Sequence, residues 1–178
     1  MKPKPPLEIR KKVDHLLATH EITMPPVDVD GLATALGIMV SRTPTNDDVS
    51  GFIYKQKDNP TVIGVNSNHH PNRQRFTVAH ELGHFFLHDK TEVHVDQFVV
   101  RLRNTASATG EDRDEIEANR FAAELLMPVR MVSEEISRLQ IHDFSDDRAM
   151  TQLAKQFQVS VQAMSHRLTG LGYIQSTG

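Results

Sequence analysis

The 178-residue chain contains no cysteine. Disulfide staples and thiolate zinc ligands are therefore excluded, and any transition-metal site has to be assembled from histidines and carboxylates. Closed structural zinc sites generally use cysteine, so this restriction favours a catalytic metal site over a structural one. Long apolar runs are also missing. Nothing approaches the roughly 20 apolar residues needed to cross a bilayer, and the start, Met1 to Pro6 followed by Leu7-Glu8-Ile9-Arg10, lacks the apolar stretch and small-residue cleavage site of a secretory signal. A cytoplasmic protein without membrane contact is expected. There is no excess of positive charge either: the net charge is −3 and the pI near 6.3. Attraction to nucleic acid would have to come from a local patch.

What the chain does have is 38% apolar residues, enough at this length for one well-filled core and too few for two full-sized domains. Ile9, Val13, Leu16, Leu17 and His20 recur at helical spacing, and Pro25-Pro26 breaks the chain before a second short helix. That helix begins at Asp28 or Asp30 and stops at Gly37. Three candidate strands follow, at 38–42, 51–55 and 61–66; the last two are separated by the turn-forming Lys57-Asp58-Asn59-Pro60. They predict a small, partly antiparallel three-stranded sheet. Pro71 suits a first helical position, and Phe76, Ala79, Leu82, Gly83 and Phe86 continue a helical pattern beyond it. Residues 89–111 are ambiguous: Val93, Val95, Phe98 and Val100 fit a strand, and 104–110 a polar loop. A helix is expected from Asp112 to Met127, stopped by Pro128, and then shorter helices at 129–139, 146–157 and 160–170. The fold class is α+β, with the sheet early and helices dominating the rest.

The chemistry concentrates in His80-Glu81-Leu82-Gly83-His84. Histidines four residues apart share one face of a helix, so His80 and His84 can converge on a single ion about 2 Å from each. Glu81 points to the side of that face, where it can reach a water on the metal without binding the metal, which is the placement of a general base. The surrounding helix is otherwise apolar, and two imidazoles and a carboxylate would be costly to bury there without an ion. A chance cluster in a chain with ten histidines is the weaker reading.

A catalytic zinc site takes three protein ligands and keeps one position open. His88 extends the series, but at 1.5 Å per residue it lies about 12 Å from His80 along the axis and suits the helix C-terminus better. Glu115 and Glu117 remain. Glu115 shares a stripe with Ala118, Asn119, Ala122 and Ala123, whose small side chains allow close helix packing, whereas Glu117 shares one with Arg120, Phe121 and Glu124 that reads partly as solvated surface. Glu115 is preferred and Glu117 stays open. With Glu115 as ligand, Asn119 one turn on is placed to hydrogen-bond the other ring nitrogen of a ligand histidine. Zinc is the expected ion, with manganese possible.

Two blocks, residues 75–88 around His80-Glu81-Leu82-Gly83-His84 and residues 115–128 from Glu115-Ile116-Glu117 to Met127-Pro128, together resemble the ImmA/IrrE metallopeptidase family. Weaker likeness extends to Pro25-Pro26-Val27-Asp28-Val29, Leu36-Gly37-Ile38, Gly51-Phe52-Ile53-Tyr54 and Ile63-Gly64-Val65-Asn66. The resemblance implies a zincin-like domain over residues 1–139, with a glutamate as third ligand matching Glu115 and with Asn119 following it. It further implies an endopeptidase acting as an anti-repressor on a helix-turn-helix repressor of the Xre type. In zincins an extended substrate adds to a strand edge beside the metal, and Gly51–Lys55 is the candidate edge, the alternative being an ordinary inner strand. Tyr54, His69, His70 and Tyr173 can each donate a hydrogen bond to an oxyanion, and none is preferred.

Residues 140–178 form the expected C-terminal segment, helical and packed on the rest. Within it 152–168 have helix-turn-helix spacing, with Ser160 as cap of the second helix. This opens a competing class, a DNA-binding regulator. Against it, Gln158 stands where such turns usually carry glycine, and the bases are few: Lys155, His166 and Arg167, with Asp146 and Asp147 nearby. A third class is a metal-holding anti-repressor without turnover, which would tolerate Glu81→Gln.

Overall fold

The computed structural model describes residues 6–56, 59–88, 94–97 and 110–175. Its elements are helices α1 (Pro6–Thr19) and α2 (Val29–Ala35), strands β1 (Met39–Thr43), β2 (Val49–Gln56) and β3 (Asn59–Asn66), helix α3 (Pro71–Leu87), strand β4 (His94–Gln97), and helices α4 (Gly110–Leu126), α5 (Val129–Arg138), α6 (Asp147–Phe157) and α7 (Val161–Gly170). The α+β reading and the placement of the three early strands hold. Of the ambiguous stretch, Val95 lies in β4; Val93, Phe98, Val100 and residues 104–109 lie outside the described residues, as do Lys57 and Asp58 of the expected turn.

The sheet order is β1-β3-β2-β4. β1 runs parallel to β3, with Val40 opposite Ile63, while β2 is antiparallel to both β3 and β4, with Ile53 opposite Ile63 and His94. This corrects one expectation. Gly51–Lys55 was to be the exposed edge, yet Gly51–Ile53 pair with β3 on one side and β4 on the other. Among the described residues, β4 is the outer strand on that side of the sheet and β1 the outer strand on the other. The pairing partner of β4 lies some forty residues earlier, and a long-range pairing of that kind leaves no local pattern to read.

α3 lies against β2 and β3 on one side and α4 on the other. Gly51 makes the first contact possible: a Cβ there would meet Thr77 Cγ2 at 2.4 Å and the Gly64 carbonyl oxygen at 2.6 Å. The core is one buried cluster that joins Ile9, Val13 and Leu17 of α1, Ile53 and Ile63 of the sheet, Val78 and Leu82 of α3, Phe121 and Leu125 of α4, and Leu153, Phe157 and Met164 of the last two helices. The loop between β1 and β2 is tied to the end of β3 by buried Asn66, whose Nδ2 donates to the carbonyls of Asn46 and Val49, both at 2.9 Å. Near the start of α3, Arg75 donates to the Val27 carbonyl at 2.9 Å. Burial pulls its pKa below the usual arginine value, opposed by the charges of Asp30 and Asp28.

Candidate metal centre

Helix α3, which carries His80, Glu81 and His84, is defined at both ends by specific contacts. His70 is the N-cap, its ring Nδ1 accepting from Asn72 N at 3.2 Å, and Pro71 supplies a first position that needs no N–H. At the far end the chain turns extended at His88 (φ −125°), and the C-terminal carbonyls, which have no partner within a helix, are met by lysines from two other elements. Lys12 of α1 donates to Phe86 O at 2.8 Å; Lys55 of β2 donates to Phe85 O at 3.2 Å and His88 O at 3.0 Å, with its ammonium 5.0 Å from the Phe85 ring centroid. Two cations therefore sit at the negative end of the helix dipole.

Between these ends, α3 approaches α4 closely enough to bring His80, His84 and Glu115 together. The two Nε2 atoms are 3.0 Å apart; His80 Nε2 is 3.2 Å from Glu115 Oε2, and His84 Nε2 is 3.2 Å from Glu115 Oε1. Ligands about 2.0–2.1 Å from one tetrahedral ion stand about 3.3 Å apart, so two imidazoles and a carboxylate spaced in this way fit a common divalent cation. The histidines are buried and Glu115 is partly open, with 31% of its side chain exposed, which leaves one side of the cluster accessible. Glu81, on the same turn as His80, is fully buried.

Asn119 lies where the helix spacing puts it: its Oδ1 is 3.1 Å from His80 Nδ1. That bond assigns the proton to Nδ1 and leaves the Nε2 lone pair facing the common point. The reading of Glu117 needs correction. It is 5% exposed, not surface, and its Oε2 lies 3.4 Å from His88 Nε2. Glu124 on the same stripe is buried as well, held by Arg167 Nη1 and Nη2 at 3.0 and 2.5 Å and by Arg10 Nε at 3.4 Å. The stripe looked solvated because charge alone was legible, and the partners come from helices 43 and 114 residues away.

Among the candidate oxyanion donors, His70 uses its Nδ1 as a cap acceptor, His69 Nε2 lies 3.3 Å from the Asp47 carbonyl oxygen, and the Tyr173 ring packs 5.7 Å from that of Phe144. Tyr54 is half-buried on β2. In the C-terminal segment Ser160 caps α7 by accepting from Ala163 N at 3.1 Å, and Gln158 takes a left-handed conformation (φ 51°, ψ 49°). Arg167, one of the three bases weighed for DNA, faces inward: besides Glu124 it donates to Met127 O at 2.9 Å.

An α+β fold whose HExxH helix meets a glutamate from the next long helix is the architecture of a metallopeptidase. Residues 33–169 match the family described as the IrrE N-terminal-like domain, and the chain belongs to this ImmA/IrrE family of metallopeptidases. It is 33% identical over 119 residues to the radiation response metalloprotease IrrE of Deinococcus radiodurans, covering 61% of this chain and 30% of that protein. It is 32% identical over 111 residues to the metallopeptidase ImmA of Bacillus subtilis, covering 62% and 57% respectively. An uncharacterized immunity region protein 2 of Bacillus phage phi105 is 33% identical over 103 residues, with 58% and 60% covered. The chain thus spans between 30% and 60% of the length of these relatives. A transcriptional regulator of Mycobacterium tuberculosis shares the fold, with a TM-score of 0.62 at 17% identity over 91% of this chain and 47% of that one.

Proposed function

We propose that the chain is a zinc-dependent endopeptidase that cleaves a helix-turn-helix repressor of the Xre type and so relieves transcriptional repression. The observation that carries the enzymatic part is the meeting of His80 Nε2, His84 Nε2 and the Glu115 carboxylate within 3.0–3.2 Å of one another, beside a buried Glu81. The donor set, two imidazoles and one carboxylate without sulfur, suits zinc and admits manganese.

A divalent ion held by these three residues supplies Lewis acidity, lowering the pKa of water and polarising a peptide carbonyl. The Glu81 carboxylate takes the proton from the attacking water and delivers it to the leaving amine nitrogen. Its complete burial keeps bulk water from competing for that proton. Asn119 holds His80 in one tautomer and one ring orientation through the 3.1 Å bond to Nδ1. An extended substrate segment pairs with β4, the described edge strand next to β2, rather than with β2.

The repressor substrate is supported by the relatives, one a metallopeptidase named ImmA and another a protein of a phage immunity region. The test is incubation of the chain with a purified Xre-type helix-turn-helix repressor of the same organism, with zinc, with manganese and with a chelator. Fragments identified by mass spectrometry only in the presence of metal are the expected result; an intact repressor under every condition contradicts it.

A further inference from the structure

His80 has a partner for its second ring nitrogen in Asn119, whereas the sequence supplied none for His84. The structure supplies one. His84 Nδ1 is 3.1 Å from His88 Nδ1, and His88 Nε2 is in turn 3.4 Å from Glu117 Oε2 and 3.5 Å from Asp114 Oδ1. We propose that His88 is a positioning residue for the ligand His84, passing the orientation set by two carboxylates of α4 through a histidine–histidine bond to the metal. This deepens the metal-site reading above and rests on it.

The proton arrangement is self-consistent along the whole chain of contacts. With the His84 Nε2 lone pair directed at the ion, its Nδ1 carries the proton and donates. His88 Nδ1 then has to accept, which places the His88 proton on Nε2, the atom that faces Glu117 and Asp114. Glu117 therefore accepts from a nitrogen that has a proton to give, Asp114 lies at 3.5 Å from the same N–H, and no two N–H groups are opposed. The opposite tautomer of His88 would set N–H against N–H at 3.1 Å and leave its Nε2 lone pair against two carboxylates. With the His84 Nε2 lone pair given to the ion, only this arrangement of the pair is satisfied.

The surroundings hold this arrangement in place. His84 is 3% exposed, His88 9% and Glu117 5%, so water does not substitute readily for any of the three. Lys55 fixes the His88 backbone through its carbonyl oxygen at 3.0 Å. Capping does not account for the ring: the cap bond is the His88 backbone N–H to His84 O at 3.2 Å, which any residue but proline would make. The arrangement also explains why Glu117 is buried although Glu115 serves as the ligand. Glu115 reaches the ion side of the two histidines, and Glu117 reaches the far side of the pair through His88.

The test is zinc affinity by competition with a chromogenic chelator for the parent, His88→Phe and His88→Asn, together with the unfolding midpoint of each metal-free protein. Phenylalanine keeps the volume and removes the acceptor; asparagine restores an acceptor near the place of Nδ1. Loss of an outer partner of a ligand histidine typically weakens metal binding about 10–100-fold. The expected result is a loss in that range for His88→Phe, recovery of most of it in His88→Asn, and altered visible bands of the cobalt-loaded protein in His88→Phe alone. Should His88→Phe fail to fold, Glu117→Ala takes its place, with a smaller loss in the same direction. Parent-like affinity in His88→Phe or Glu117→Ala, or an asparagine variant as weak as the phenylalanine one, overturns the inference. A parent that binds no metal overturns the metal site itself and this inference with it.

Discussion

Gly83 faces Ala118 with no room for a side chain: a Cβ at position 83 would lie 2.9 Å from Ala118 Cα and 3.0 Å from its carbonyl oxygen. The obstacle is backbone, which cannot yield as a flexible side chain would. Gly83 sits between His80 and His84, and Ala118 lies between Glu115 and Asn119. The closeness of this contact therefore sets how far Glu115 and Asn119 stand from His80 and His84. Gly83→Ala is expected to push the helices apart and cost about 1–3 kcal/mol of stability, the usual range for overpacking. Denaturant unfolding measures the stability and a zinc titration the accompanying loss of affinity; unchanged values in both would show that the helix spacing is not fixed here.

Removal of the two neighbouring glutamates separates ligand from outer partner. Glu115→Ala deletes a proposed ligand and should weaken metal binding more than Glu117→Ala, which deletes a carboxylate in contact with His88. Isothermal titration with zinc gives the order directly. If Glu117→Ala proved the more damaging, Glu117 would be the ligand.

Glu124 and Arg167 form a pair of which 9% and 10% of the side chains are exposed, joining α4 to α7. Removing one member strands a buried charge, so Arg167→Met should cost about 3 kcal/mol. Arg10, 38% exposed, offers Glu124 little compensation. The double variant Arg167→Met, Glu124→Leu should recover a good part of that loss, because no charge is left behind. Equilibrium unfolding of the two singles and the double tests this. Additive losses would mean that the pair has no coupling.

Gln158 occupies a left-handed backbone position at φ 51° in the turn before α7. A residue with a Cβ is strained there by about 1 kcal/mol, and a β-branched one by more. Gln158→Gly should therefore raise the thermal midpoint and Gln158→Val lower it. The reverse order would place the turn in a different conformation in solution.

The parts of this protein that were legible in the sequence are those set by local pattern. His80 and His84 share a face because they are four residues apart, Pro71 and Ser160 mark helix starts by chemistry that acts within one turn, and Glu115 and Asn119 are again four apart. The glycine usually found at position 158 is absent, yet the turn forms, since Val159 and Phe157 are buried in the core and outweigh the local strain. What stayed hidden depended on partners far along the chain. β2 looked like an edge because the strand that covers it comes some forty residues later; Glu117 and Glu124 looked like surface because His88, Arg10 and Arg167 are brought to them only by the fold.

The central claim is that a metal held by His80, His84 and Glu115 works with Glu81 as the base. The direct measurement compares the parent with Glu81→Gln for bound metal, by elemental mass spectrometry, and for cleavage of an Xre-type repressor of the same organism. Glutamine keeps the shape and loses the basicity. The expected result is one metal ion per chain in both proteins, with cleavage in the parent alone. Cleavage by Glu81→Gln near the parent rate would remove Glu81 from the chemistry. One bound ion with no cleavage by the parent would contradict the peptidase and leave a metal-holding anti-repressor.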